Sequence, residues 1–369
     1  MITYYFIFAI LSFLAFQEIN NPKPLKKFSF IYLTLLFSFF IGLRNEIGCD
    51  WQGYKTIFDL SDCTFNTEND LCTKYNIYSI FDYLKFKEIG FTFINFIINK
   101  IGGNFYLANF IFSLLFIIPT LLFCSKLKRP FLGILVSYPY LITVIGLGTI
   151  RQSIAIAFLM LGFNALNNKQ FIKYYLLNFI GIIFHYSSSI FIFLPLLIVN
   201  KVSNNLKIIK KFLFFLFFLL CSLFLVFNDN YFTNQMNGYL YFTKPVSIKS
   251  PLIIWIITAI PSTIILFNYK DFKDDDPYKF WMNYSIVDIL MFLPIFLNTI
   301  IALRLLLYFL PIKIYALSNL PQLKIFQKSP KNAYLVVTII SFFILTIWLN
   351  FANHSYCYLP YKNLLLRQL

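Results

Sequence analysis

The chain has 369 residues, 59% of them hydrophobic and only 12% charged, about half the charged share of an ordinary soluble domain. Its formal charge of +16 comes from short basic clusters between apolar runs, not from a basic stripe, so membrane orientation explains it and nucleic acid binding does not. No GxxxxGK[ST], GxGxxG, CxxC or HExxH pattern occurs, which leaves a nucleotide-driven pump, a soluble redox enzyme and a zinc enzyme without support.

Eleven apolar runs follow in order: 2–17, 28–43, 104–124, 131–149, 152–167, 174–199, 212–227, 251–267, 280–300, 303–317 and 333–351. Their lengths suit helices crossing a hydrocarbon core about 30 Å thick. They lack the apolar–polar alternation of barrel strands. The expectation is an all-α polytopic membrane protein with about 11 transmembrane helices (10–12), forming a single domain over 1–369. The first run has no small-residue cleavage site and reads as a retained helix. The segment "EIGFTFINFIINKIGG" (88–103) is too short to span and predicts a re-entrant or interfacial helix.

Lysines set the expected orientation. Lys23, Lys26 and Lys27 after the first run place that end inside and the N-terminus outside. Residues 44–88 then form an outer loop, and Lys126, Lys128 and Arg129 return inside. Lys169 and Lys173 are also inside, yet only one apolar run separates them from Lys201, Lys207, Lys210 and Lys211. Either 174–199 is a broken hairpin around "FHYSSSIFIFLP", or it is one long tilted helix with an exceptional outer lysine cluster. The hairpin keeps Lys270, Lys273, Lys324, Lys328 and Lys331 inside. A second outer loop, 228–250, is rich in Asn, Tyr and Phe, a composition that suits sugars, although Tyr239 and Tyr241 equally suit an interfacial aromatic belt.

The chain uses 26 Lys but only 5 Arg. Arg129 sits in an inner basic cluster and Arg367 in the tail, whereas Arg44, Arg151 and Arg304 each stand alone at an outer helix end. Guanidinium groups bind phosphate oxygens bidentately, so three such arginines around one outer cavity would cradle an anionic lipid headgroup. Snorkelling to lipid phosphates, or pairing with an acid, would explain any one of them alone. His185 lies inside an apolar run, where it serves either as a general base or hydrogen-bond donor to a sugar, or as a buried side chain bonded to a serine or carbonyl. Asp288, in "SIVDILMFL", could pair with Arg304 or serve proton-coupled transport. Glu46, Asp50 and Glu88 are the outer carboxylates near Arg44, each a candidate base or arginine partner. Cys49, Cys63, Cys72 and Cys357 fall on the outer side, where disulfides are allowed but their pairing is open. Cys124 and Cys221 read as packing residues, and His354 in the polar tail carries no assigned role.

"GLRNEIGCDWQGY" (42–54) resembles the G-x-R-x-x-x-G-x-D-x-x-x-Y signature of the EpsG-like, Wzy-type polysaccharide polymerases. The other pieces follow in that family's order: E-x-G-F at Glu88, "IRQSIA" from Ile150, the His185 segment, and "LRLLLYF" with Arg304. The resemblance covers most of the chain, and its ordered set of motifs is more specific than any piece. It implies a bacterial inner-membrane glycosyltransferase that moves a growing glycan from undecaprenyl pyrophosphate onto a new lipid-linked repeat unit on the periplasmic face. No nucleotide, metal or other cofactor is implied. Membrane lipids surround such an enzyme, and a chain-length regulator and a flippase would be its partners. On this reading Arg151 and Arg304 bind pyrophosphate, with Arg44 beside or behind them. Gln152, Tyr54 and Glu88 line the substrate, and His185 or Asp50 is the base. The competing class is a polysaccharide flippase or other secondary transporter, which would show an internal repeat and a polar midplane route. A ligase or acyltransferase acting on lipid-linked substrates is a third reading.

Overall fold

The computed structural model describes residues 1–19, 24–65, 70–197, 247–272 and 278–365. It is 82% helical and contains no strand among these residues, which settles the all-α class. Among the described residues, seven helices are long and apolar enough to cross a membrane: Phe105–Ser125, Pro130–Gly148, Ile150–Asn167, Lys249–Phe267, Lys279–Leu297, Thr299–Gln322 and Pro330–Phe351. Shorter apolar helices cover Ile2–Gln17, Lys27–Gly42, Ile89–Lys100, Phe171–Phe184 and Tyr186–Pro195. The chain is therefore a multi-pass membrane protein. Ten of the eleven apolar runs coincide with these elements. The run 212–227, the loop 228–246 with Tyr239 and Tyr241, the cluster Lys201–Lys211, Lys23, Lys273, Cys221 and Arg367 lie outside the described residues.

Periodicity says little about which face of these helices points inward, because lipid-facing and buried positions are both apolar. Composition of the contacts does. The second helix exposes Phe28, Ile31, Tyr32, Leu35 and Phe39 along one face and buries Leu33, Phe37, Phe40 and Ile41 on the other. The helix Pro130–Gly148 is 94% buried and forms the centre of the bundle, whereas Pro330–Phe351 is 28% buried and lies at its rim. A π-helical stretch, Tyr138–Ile145, interrupts the central helix after Pro139 cannot donate to the ladder. Tyr138 donates from its hydroxyl to the Tyr4 carbonyl at 2.9 Å, which ties the first helix to this centre.

Most charged side chains gather at two ends. At one end, the Glu18 carboxylate accepts from the amides of Phe131 and Leu132, capping the central helix, and Lys128 donates to Gln322 at 2.8 Å. Asp271 there accepts from the Lys324 amide at 3.0 Å. Because the helices run up and down between short turns, Lys126, Arg129, Lys169, Lys328 and Lys331 gather at this lysine end. The opposite end collects Arg44, Asp50, Glu88, Arg151, His185 and Arg304, and is called the motif end below.

Residues 174–197 are a hairpin, which decides between the two sequence readings. The helix Phe171–Phe184 ends at His185, whose backbone is extended, and the chain turns back as the 3₁₀ segment Tyr186–Leu197. The Tyr174 hydroxyl donates to the Phe191 carbonyl, and Ser188 Oγ lies 3.0 Å from the Asn178 amide, so the two arms run antiparallel. His185 is at the apex. The 88–103 segment forms the helix Ile89–Lys100, shorter than a span and packed against Phe171–Phe184 at Gly90.

At the motif end the C-terminal residues 352–365 form a strap across the 42–54 stretch. Asn45 N donates to Lys362 O at 3.0 Å, Leu364 N to Leu43 O at 2.8 Å and Gly48 N to Cys357 O at 2.9 Å. A disulfide joins Cys49 to Cys357, and another joins Cys63 to Cys72. Tyr358 reaches through the strap to donate to Val144 O at 3.0 Å, packing where a Cβ on Gly148 would lie 2.1 Å from its hydroxyl. Cys124 is a buried thiol, in keeping with a packing role. Gly48 has φ +95° and its missing Cβ would meet the Leu147 carbonyl oxygen at 2.3 Å. Gly48→Ala should therefore cost about 1–3 kcal/mol, read as a lowered Tm of the detergent-purified protein; an unchanged Tm would contradict this packing.

Candidate functional site

The motif end is organised around one carboxylate. Glu88 precedes the helix Ile89–Lys100 and is 5% exposed. Its Oε2 accepts from Arg151 Nη1, and its Oε1 lies 2.9 Å from His185 Nδ1. The three residues come from separate elements: the loop after Ile80–Phe86, the start of Ile150–Asn167, and the hairpin apex. Burial opposes a charge on Glu88, but the Arg151 guanidinium and the His185 hydrogen bond outweigh it and hold the carboxyl down at about 2. An ionised carboxylate at Nδ1 fixes that nitrogen as the donor and leaves Nε2 as the basic atom. The side chains of Arg151 and His185 remain 15% and 13% exposed, so both can meet a ligand.

Arg304 is joined to this group through backbone. Gln152, next to Arg151, donates from Nε2 to the Arg304 carbonyl at 2.6 Å. One turn later on the same helix, the Tyr308 hydroxyl lies 2.9 Å from Ser187 Oγ, two residues beyond His185. The helix Thr299–Leu306 starts with an Asn298 side chain accepting from the amides of Ile300 and Ile301, which fixes where Arg304 falls. Arg151, Arg304, Glu88 and His185 are thus brought together, with Gln152 as the brace between the two arginines.

Asp50 belongs to the same neighbourhood. Protein around it raises its pKa, and the charges of Arg151, Arg304 and His354 act against that shift. Its side chain nevertheless opens to solvent. Lys87 is lowered by burial and by the nearby arginines Arg151 and Arg304, with Glu88 acting in the opposite sense. Arg151, Arg304 and Lys87 therefore share this end with one buried carboxylate, a balance of charge that favours an anionic ligand.

Arg44 stands apart from the other two arginines. It is 0% exposed, and it donates from Nε to Ile47 O at 3.1 Å and from Nη1 to Ile41 O at 2.7 Å. Its guanidinium lies 5.4 Å from the Trp51 ring centroid, and its backbone bridges to Asn363 of the strap. The resemblance left Arg44 beside or behind the other two arginines; in the structure it folds inward, donating to Ile41 O in the second helix and to Ile47 O just beyond it. Tyr54 is 4% exposed and lies beneath Arg151, with 5.8 Å between the guanidinium and the ring centroid. Glu46 pairs with Lys362 at 2.9 Å on the strap. Asp288 lies elsewhere: its two carboxylate oxygens accept from Thr258 at 2.8 Å and Ser262 at 2.6 Å, in place of the Arg304 pairing the sequence allowed.

Sequence reading passed over Lys87, Ser187 and Tyr308. Tyr308 had a visible signal, since it lies four residues after Arg304 and so shares its helix face. Lys87 had only its adjacency to Glu88.

Neither the curated proteins nor the solved structures contain a match. The family model of the EpsG family aligns with residues 27–363, from the second helix through the strap, and the chain belongs to that family.

Proposed function

We propose that this protein is a bacterial inner-membrane polymerase of polysaccharide repeat units, which transfers the growing glycan from undecaprenyl pyrophosphate to a new lipid-linked unit. The observation that carries the reading is Glu88 holding Arg151 and His185 on its two oxygens. Membership of the EpsG family supports the same class. The two disulfides at the motif end support a periplasmic site, because such bonds persist in that space, and the lysine end is then cytoplasmic.

The chemistry follows from the charges. His185 Nε2 takes the proton of the acceptor hydroxyl as its oxygen bonds to the anomeric carbon of the donor sugar. The bond from that carbon to the pyrophosphate oxygen breaks, and the negative charge that gathers there is held by Arg151 and Arg304. Undecaprenyl pyrophosphate leaves, and the imidazolium returns its proton to water. Glu88 stabilises that imidazolium and aims Arg151. No nucleotide is consumed, since the donor is already activated. A flippase would supply the repeat units and a chain-length regulator would set their number.

Arg151→Ala and Arg304→Ala should each lower polymerisation about 10²–10³-fold. Glycan ladders from cells read this directly. The account expects lipid A core or carrier bearing a single repeat unit, because flipping and ligation continue. Normal ladders from either variant would overturn the assignment, and loss of even the single unit would favour a flippase.

A further inference from the structure

Arg151 owes its direction to the turn that precedes it. The central helix ends at Gly148 and the next begins at Ile150, so Thr149 alone joins the two spans. This turn does not hold itself. Thr149 gives the new helix no side-chain cap, and its hydroxyl donates back to Ile145 O at 3.3 Å. Gly146 and Gly148 lie just before it, and glycine leaves the backbone freer than any other residue. Packing from outside must therefore set its shape.

Two residues press on the turn, and each neighbours a cysteine of the Cys49–Cys357 disulfide. Gly48, just before Cys49, lies so close that a Cβ there would overlap the Leu147 carbonyl oxygen. Tyr358, just after Cys357, covers Gly148, where a Cβ would overlap the tyrosine hydroxyl. That hydroxyl donates to Val144 O at 3.0 Å, within the π-helical stretch. Tyr358 is itself held from behind. Trp348 meets its ring edge-on with centroids 4.4 Å apart, and its carbonyl accepts from the Tyr4 hydroxyl at 2.8 Å. At 5% exposure it is closed to substrate, so any effect on the reaction passes through the turn.

We propose that Tyr358 is a positioning residue for the transfer. Its hydroxyl, set between Val144 O and Gly148, fixes the turn that aims Arg151 at the departing pyrophosphate. Glu88 holds the guanidinium tip of Arg151, and Tyr358 holds the backbone at its root. A long side chain is aimed only when both of its ends are fixed. The role rests on the polymerase reading above.

The test uses the full chain in proteoliposomes supplied with lipid-linked repeat units. Tyr358→Phe keeps the ring against Trp348 and removes only the hydroxyl. Per folded molecule, kcat should fall about 10–100-fold with KM within about twofold, the split expected when a group acting in the transition state is misplaced. A purely structural role would lower the yield of folded protein and leave kcat per molecule unchanged, and that result would overturn the proposal. Gly148→Ala displaces the hydroxyl from the other side and should lower kcat likewise. Adding Tyr358→Phe to it should cause no further fall, because the bare ring leaves room for the methyl group. Wild-type kcat in Gly148→Ala, or a further fall in the double variant, would contradict the shared contact on which the role depends. In Arg151→Lys, whose flexible ammonium is aimed less strictly, Tyr358→Phe should cost less than about threefold. An undiminished cost there would mean that the tyrosine does not act through Arg151. Wild-type protein that makes no ladder removes the polymerase reading and the positioning role with it. A wild-type ladder beside a Tyr358→Phe protein of unchanged kcat removes the positioning role alone.

Discussion

Glu88→Gln should reduce polymerisation about 10²–10⁴-fold, the range expected when a general base loses the group that tunes it. The amide is nearly the same size, so packing survives while the charge does not. His185 then loses the carboxylate that stabilises its protonated form, and Arg151 loses the partner that aims it. Both effects act on one step, so the loss should appear in kcat more than in KM. A second consequence concerns stability. The Glu88 pKa is held at about 2 in the fold, below an ordinary value of 4.5. The stabilisation it brings is therefore full above pH 4.5 and is lost as pH falls from there towards 2. Acid titration of Tm for the detergent-purified protein should show a decline across that window that is smaller in Glu88→Gln. An identical decline in both proteins would place the acid sensitivity elsewhere.

Arg44→Met should cost about 2–3 kcal/mol in stability, since it leaves the buried Ile47 carbonyl without its donor and the Ile41 carbonyl with only the longer bond from Asn109. Methionine fills much of the same volume, so the loss reports the hydrogen bonds and the contact over Trp51, not a cavity. The fraction that folds should retain activity per molecule, because Arg44 has no exposed surface with which to meet substrate. Thermal melting and activity normalised to folded protein check the two halves. A stable but inactive Arg44→Met protein would mean that this arginine binds substrate after all.

The contrast between Arg44 and Arg151 shows where sequence reading succeeds and where it stops. Both are lone arginines at helix ends, and both sit in motifs of the resemblance. Hydropathy located the helices, and lysine placement located their ends, because hydrocarbon thickness and charge asymmetry act through one-dimensional patterns. Whether an arginine turns toward a cavity or toward its own helix end depends on partners far along the chain. Glu88 draws Arg151 outward from a distance of 63 residues, while the strap closes over Arg44 from residues 362–364. No local pattern encodes that. The hairpin at His185 was half legible: the lysine count left a turn and one long tilted helix both open, the serines and Pro195 offered a turn, and the Tyr174–Phe191 and Asn178–Ser188 contacts decided it. The pairing of Cys49 with Cys357 was likewise beyond reach, since three loop cysteines and one tail cysteine allow several pairings.

Purified protein in proteoliposomes, supplied only with lipid-linked repeat units, tests the central claim most directly. The account predicts a ladder of elongated lipid-linked glycan without any nucleotide sugar, and a matching release of undecaprenyl pyrophosphate. The ladder should disappear in Glu88→Gln. Repeat units that remain single with the wild-type protein, or a ladder that persists undiminished in Glu88→Gln, would contradict it.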